Sequence, residues 1–218
     1  MAEKLECAEG TAPKATIESG RFDRISIALH WLTVLLIIVQ FASAWLREAV
    51  DHDTSLAAAI LASHRTTGVL TWIVVLVRLV WRHTFAYLPP FPESMPPVQQ
   101  WIAKANEYGL YALLLVQPVT GLGSALFRGH PFELFIWEVP TPFAHNVIIR
   151  SIFVEVHEFG AKALVTLIGL HAGAALFHHL VLRDGVLQRM LPWTSARSTA
   201  QTNKAESPAL LLYPKIKN

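Results

Sequence analysis

Residues 152–182 read IFVEVHEFGAKALVTLIGLHAGAALFHHLVL, and this stretch decides how the chain folds. It is longer than the roughly 20 apolar residues that cross a bilayer as a helix. It carries His157 and His171, fourteen positions apart. Fourteen helical residues make almost four turns and about 21 Å of rise. The two imidazoles therefore stand on nearly one face at opposite depths. Histidine is costly in hydrocarbon, and inside a span it usually marks a functional site.

Working outward, three more stretches have the same character, over about 25–46, 56–80 and 103–127. The first starts behind Arg21 and Arg24 and holds His30; the second holds His64 and stops at Trp81-Arg82-His83. Between the second and third lies the proline-rich run from Leu88 to Pro97, expected to be a stiff extended connector because proline cannot donate to a helix. Pro118, Gly121 and Gly123 interrupt the third span and suggest a kink and close helix contact. The segment 128–150 is expected at the membrane interface, with a short surface helix. Residues 1–20 read as a polar, mobile arm without a cleavable signal, and residues 194–218 as a polar, disordered tail. No internal repeat is evident. The expected fold is thus all-α, a four-helix integral membrane bundle over residues 21–193.

The bulk numbers agree. The chain has 218 residues, 53% hydrophobic and only 16% charged, against about a quarter charged in soluble domains. Its net charge of +2 is small, and its basic residues flank apolar spans, which gives no nucleic-acid signal. The single cysteine, Cys7, excludes an internal disulfide, cysteine-ligated iron–sulfur clusters, structural zinc and covalent haem attachment. Thirteen of the eighteen lysines and arginines fall on the side that holds both termini, which makes that side cytoplasmic.

Depth then pairs the histidines. His30 and His171 fall in the cytoplasmic half, His64 and His157 in the outer half. Two imidazole pairs at two depths suit two haems, each with both axial positions filled, a state that favours outer-sphere electron transfer. Gly68, Gly160, Ala174 and Ala175 are small residues expected to clear room for a flat macrocycle. The histidines outside these pairs have blander expected roles. His52, His83, His130 and His145 lie in loops, and His178 and His179 near the cytoplasmic surface.

Several segments together resemble the prokaryotic cytochrome b561 family. They are Ile27-Ala28-Leu29-His30-Trp31, His64-Arg65-Thr66-Thr67-Gly68 with Val77-Arg78-Leu79-Val80-Trp81-Arg82, and His157-Glu158 with Leu170-His171-Ala172-Gly173-Ala174-Ala175-Leu176-Phe177-His178-His179. The last continues into Arg183-Asp184-Gly185-Val186-Leu187 and Arg189-Met190-Leu191-Pro192. The resemblance implies a multi-pass protein of the bacterial inner membrane with two haem b groups. Its iron ligands fall on His30, His64, His157 and His171. It also implies electron exchange with the quinone pool, with ubiquinone as substrate, and through some relatives oxidation of superoxide. Another redox protein, a dehydrogenase or hydrogenase, is the alternative partner, the chain then being a non-enzymatic electron-transfer subunit.

Arg65 adjoins His64, and Lys162 lies five residues beyond His157. Both are candidates to steer an anion such as superoxide to the outer haem, set against ordinary snorkelling to the interface. For a quinone site, Ser26, Arg78, His178 and Asp184 are candidates on one side, and Glu155 and Glu158 on the other.

Overall fold

A computed structural model describes residues 20–92 and 95–193; the arm over 1–19 and the tail from 194 lie outside the described residues. Four long helices dominate. Helix α1 spans Arg24–Ala49, α2 Ser55–Thr84, α3 Pro97–Leu126 and α4 Val147–Phe177. All four are long and apolar enough to cross a membrane.

Local chemistry sets the helix starts. The Asp23 carboxylate accepts from the Ser26 amide, Thr54 Oγ1 from Ala57 and Asn146 Oδ1 from Ile149, each satisfying a first-turn donor. Helix α3 begins inside the proline run, six residues before the expected 103, because Pro97 takes the first helical position. There its fixed φ suits the helix and its missing N–H is not needed. Helix α4 also begins earlier than 152, at the Asn146 cap. It ends in a π-helical turn, His178–Leu182, closed by Arg183 in the left-handed region at φ 55°.

The packing is inverted relative to a water-soluble bundle. The buried core cluster is small: Val75 of α2, Tyr111 and Leu114 of α3, and Leu164 of α4. Leu35, Ile38, Val80, Val119, Phe159 and Leu170 all point outward and exposed. In water such a surface would drive association; against lipid tails it costs nothing. Threonines occupy buried positions instead, with Thr33 and Thr71 returning their hydroxyls to the carbonyls of Leu29 and Thr67, both at 2.7 Å. That bond meets their polar need inside their own helix.

Helices α1 and α2 form one close antiparallel hairpin and α3 and α4 another, with α2 and α3 joining the two. The backbones of α1 and α4, and of α2 and α4, scarcely approach. A seam is therefore left along α4, and the histidines lie on it.

Segment 128–150 corrects the expected surface helix. It forms a two-stranded antiparallel hairpin, β1 Phe132–Leu134 with β2 Trp137–Val139, in the register Phe132 to Val139 and Leu134 to Trp137. Pro131 and Pro140 bracket the eight residues between them, too few for a stable helix, and their apolar–acidic alternation has the period of a strand. Phe135 turns the corner at φ 55°, and its N–H donates to Thr66 Oγ1 on α2 at 2.8 Å. The expected four-helix bundle thus stands as a mostly helical fold with one short β-hairpin added.

At the opposite end the chain closes on itself. A 3-10 turn, Leu187–Met190, lies beside the start of α1. Trp31 Nε1 donates to the Met190 carbonyl at 2.8 Å, and Arg21 to the Leu191 carbonyl at 2.6 Å. Asp184 anchors the approach by accepting from His178 Nδ1 and from the Val186 amide. Burial opposes ionisation of Asp184, but these hydrogen bonds outweigh it and hold the carboxyl below its ordinary value of 3.8. A carboxyl depressed by folding adds stability above its unfolded pKa and loses it as pH falls through the folded value. Acidification below about pH 4 should therefore loosen this end, read as faster hydrogen exchange over residues 183–191. Asp184→Asn should flatten that pH dependence, and equal acid sensitivity in the variant would count against the anchor.

Candidate functional site

The four histidines meet in two pairs across the seam. His30 of α1 and His171 of α4 have ring centroids 6.2 Å apart. His64 of α2 and His157 of α4 have centroids 6.3 Å apart. Each pair thus joins the first hairpin to α4. His30, His64 and His157 are half-buried, while His171 is exposed along the open seam.

These separations can be compared with a metal site. Imidazole nitrogens bind metal ions at about 2.0–2.1 Å, and the ring centre lies about 1 Å further back. Two imidazoles on opposite sides of one ion should then have centroids about 6 Å apart. Both pairs have that spacing. It is too long for parallel stacking; it fits an edge contact, as the 79° tilt between the His64 and His157 rings shows, and it also suits one ion between the rings. Among the described residues no group of three or more histidine, cysteine or acidic side chains gathers as a metal cage. A haem needs only two protein ligands, since the macrocycle supplies the rest.

The His64–His157 pair is held from behind, and the bonds fix its tautomers. The Ser43 hydroxyl donates its single proton to the Gln40 carbonyl at 2.9 Å. It also lies 2.9 Å from His64 Nδ1, and with its proton given to the carbonyl it accepts there from the imidazole N–H. His157 Nδ1 lies 3.0 Å from the Gln117 carbonyl oxygen and 3.1 Å from Thr120 Oγ1. A carbonyl only accepts, so this nitrogen carries the proton as well. In both rings Nε2 is left with its lone pair for a ligand. Among the described residues, the imidazole Nδ1 of His30 is buried without a hydrogen-bond partner.

The two arrangements echo each other. Gln40 Nε2 donates to the His64 carbonyl at 3.0 Å, and Gln117 Nε2 to the His157 carbonyl at 3.1 Å. Each glutamine sits three residues before the hydroxyl residue that faces the ring. Each hairpin therefore carries Gln-x-x-Ser or Gln-x-x-Thr on one helix and a histidine on the other. This correspondence is absent from a reading by hydropathy alone. Its sequence signal is a glutamine inside an apolar span, which must find a partner. The glycines change role accordingly. A Cβ at Gly160 would stand 2.6 Å from Gln117 Oε1, and one at Gly68 3.6 Å from Gln40 Oε1. The small size of Gly160 thus makes room for the Gln117 amide, whereas a Cβ at Gly68 would meet Gln40 only at ordinary contact distance.

The charged candidates separate. Arg65 lies over the Phe132 ring at 5.3 Å, beside the β-hairpin. Arg128 joins it there; burial first, then the nearby Arg150 and Arg47, push the Arg128 guanidinium below its ordinary pKa. Lys162 is exposed on α4, about 7 Å deeper along the helix than His157, and forms no ion pair among the described residues. At the other end Ser26 and Arg78 come together around a small pocket with Arg82, Tyr111 and Met190. His178 and Asp184 are spent on each other.

Comparison with known proteins follows the same outline. The family profile described as prokaryotic cytochrome b561 matches residues 21–193. Cytochrome b561 homolog 1 of Escherichia coli is 30% identical over 176 residues, which cover 79% of this chain and 98% of the relative. A protein of Yersinia pestis named probable superoxide oxidase CybB is 27% identical, with coverage of 79% and 96%. Cytochrome b561 homolog 2 of Escherichia coli is 29% identical, with coverage of 81% and 94%.

Proposed function

Because the chain belongs to the prokaryotic cytochrome b561 family, with the electron-transfer role of that family, we propose that it carries electrons from superoxide to ubiquinone across the bacterial inner membrane. The observation that supports this most is the meeting of four histidines in two pairs, with ring centroids 6.2 and 6.3 Å apart. His30 and His171 would hold one haem b, and His64 and His157 the other. Each haem would supply a one-electron centre there.

The electron count balances. Two superoxide anions each lose one electron and leave as dioxygen, while ubiquinone takes two electrons and two protons to become the quinol. The chain's own residues set the conditions. Leu164 lies seven residues from each α4 histidine and belongs to the buried cluster with Val75, Tyr111 and Leu114. This dry layer between the pairs excludes water, so protons reach the quinone from one face only. Both termini face the cytoplasm by the bias of lysine and arginine. Arg65 and Lys162 draw the anion, and Arg128 adds to the field beside Arg65. The name borne by the Yersinia pestis relative supports superoxide as the donor.

The test is turnover by the purified full chain in lipid discs with superoxide and ubiquinone. Superoxide-dependent quinol formation is expected, slowing as salt is added. An Arg65→Ala, Lys162→Ala double variant with both haems retained should lose about tenfold in rate and most of the salt dependence. An unchanged rate and salt dependence would sink the steering role. No turnover by a chain carrying both haems would favour the electron-transfer subunit docked to a dehydrogenase or hydrogenase.

A further inference from the structure

The two histidine pairs are not equivalent, and the difference lies behind the rings. His64 Nδ1–H donates to Ser43 Oγ at 2.9 Å. His157 Nδ1–H faces two acceptors, the Gln117 carbonyl at 3.0 Å and Thr120 Oγ1 at 3.1 Å. Both acceptors are held in turn, Ser43 by the Gln40 carbonyl and Thr120 by the Gln117 carbonyl at 2.9 Å. Behind the other pair, among the described residues, His30 Nδ1 is buried without a hydrogen-bond partner and the His171 ring makes no hydrogen bond.

An imidazole that donates its Nδ1 proton to an oxygen gains electron density at Nε2 and becomes a more basic ligand. A more basic ligand stabilises the higher charge of oxidised iron and so lowers the reduction potential. We infer that Ser43 and Thr120 are positioning residues that set the reduction potential at the His64–His157 site below that at the His30–His171 site. The inference rests on the proposal that each pair holds a haem. It adds a direction: an electron entering near Arg65 runs downhill from the His64–His157 site to the His30–His171 site. The Gln40 and Gln117 amides support the device by tying each histidine's backbone to the helix that carries its acceptor.

Redox titration of the purified full chain, followed by absorbance of the haems, tests this. His171→Ala should leave one haem and so identify which of the two wild-type waves belongs to the His64–His157 site. That wave should be the lower one. Ser43→Ala, which leaves His64 Nδ1 without an acceptor, should raise it by roughly fivefold in the reduction equilibrium, about 40 mV for one electron. Thr120→Ala should raise it less, since the Gln117 carbonyl remains. Ser43→Thr keeps a hydroxyl and should restore the wild-type value, and the higher wave should stay fixed throughout. If Ser43→Ala sheds its haem, the shift in Thr120→Ala decides. The inference fails if the His64–His157 wave is the higher one, or if it stays put in the hydroxyl-deleted variants. Wild type without two haems would instead overturn the proposal beneath it.

Discussion

Replacing His64 or His157 by alanine is expected to remove one haem from the purified chain, and replacing His30 or His171 to remove the other. The four variants should fall into two classes, each keeping one haem and one half of the wild-type reduced-minus-oxidised spectrum. The geometry dictates the classes. The centroids within each pair are 6.2 and 6.3 Å apart, whereas His157 and His171 on α4 are separated by about 21 Å of helix. Truncating either member of a pair leaves one ligand where two are needed. The effect should be near-complete loss at that site, while far-UV circular dichroism stays helical because none of the four rings belongs to the buried core cluster. Haem-to-protein stoichiometry gives the count. Losses that grouped His30 with His64, or His157 with His171, would refute the assignment of ligands.

The pairing by depth was legible because it needs only two numbers, the rise of a helix and the direction of each span. Position along α4 fixed the depth of His157 and His171, and the alternation of spans fixed His30 and His64. The polar framework behind the rings was not legible by the same means. Gln40 and Gln117 look like isolated polar interruptions of apolar runs, and only the contact between helices shows each reaching a histidine carbonyl on its partner. Gly160 illustrates the same limit. Its place near His157 suggests space for a flat cofactor, yet a Cβ there would run into Gln117. The β-hairpin escaped for a different reason. Its alternation covers only Phe132 to Val139, too short to outweigh the helical setting around it, and its turn uses Phe135 at a positive φ where glycine is usual. In each case the missing information is the identity of a neighbour from another helix, which hydropathy and spacing do not contain.

Gly121→Leu should empty the His64–His157 site while every histidine remains in the chain. A Cβ added at Gly121 would stand 3.0 Å from His157 Cε1 and 3.3 Å from its Nδ1. Alanine there is finely balanced. It gains up to about 1 kcal/mol of helix propensity over glycine, and the ring must yield by a few tenths of an ångström. Leucine adds three further carbons where the imidazole lies. The ring cannot slide away cheaply, because the Gln117 carbonyl and Thr120 Oγ1 hold its Nδ1 from the same helix that carries Gly121. Overpacking of this kind costs about 1–3 kcal/mol, which corresponds to a roughly 5- to 160-fold fall in affinity for the group held at that site. The His30–His171 site draws nothing from Gly121 and should keep its haem. Gly169→Leu on α4 is the matched control, since a Cβ there meets nothing within 4 Å, and it should retain both haems. The spectrum and stoichiometry that sort the histidine variants sort these two. If Gly121→Leu kept two haems at wild-type potentials, close packing of α3 against His157 would not be what aims that ligand, and the hydrogen bonds alone would have to hold it.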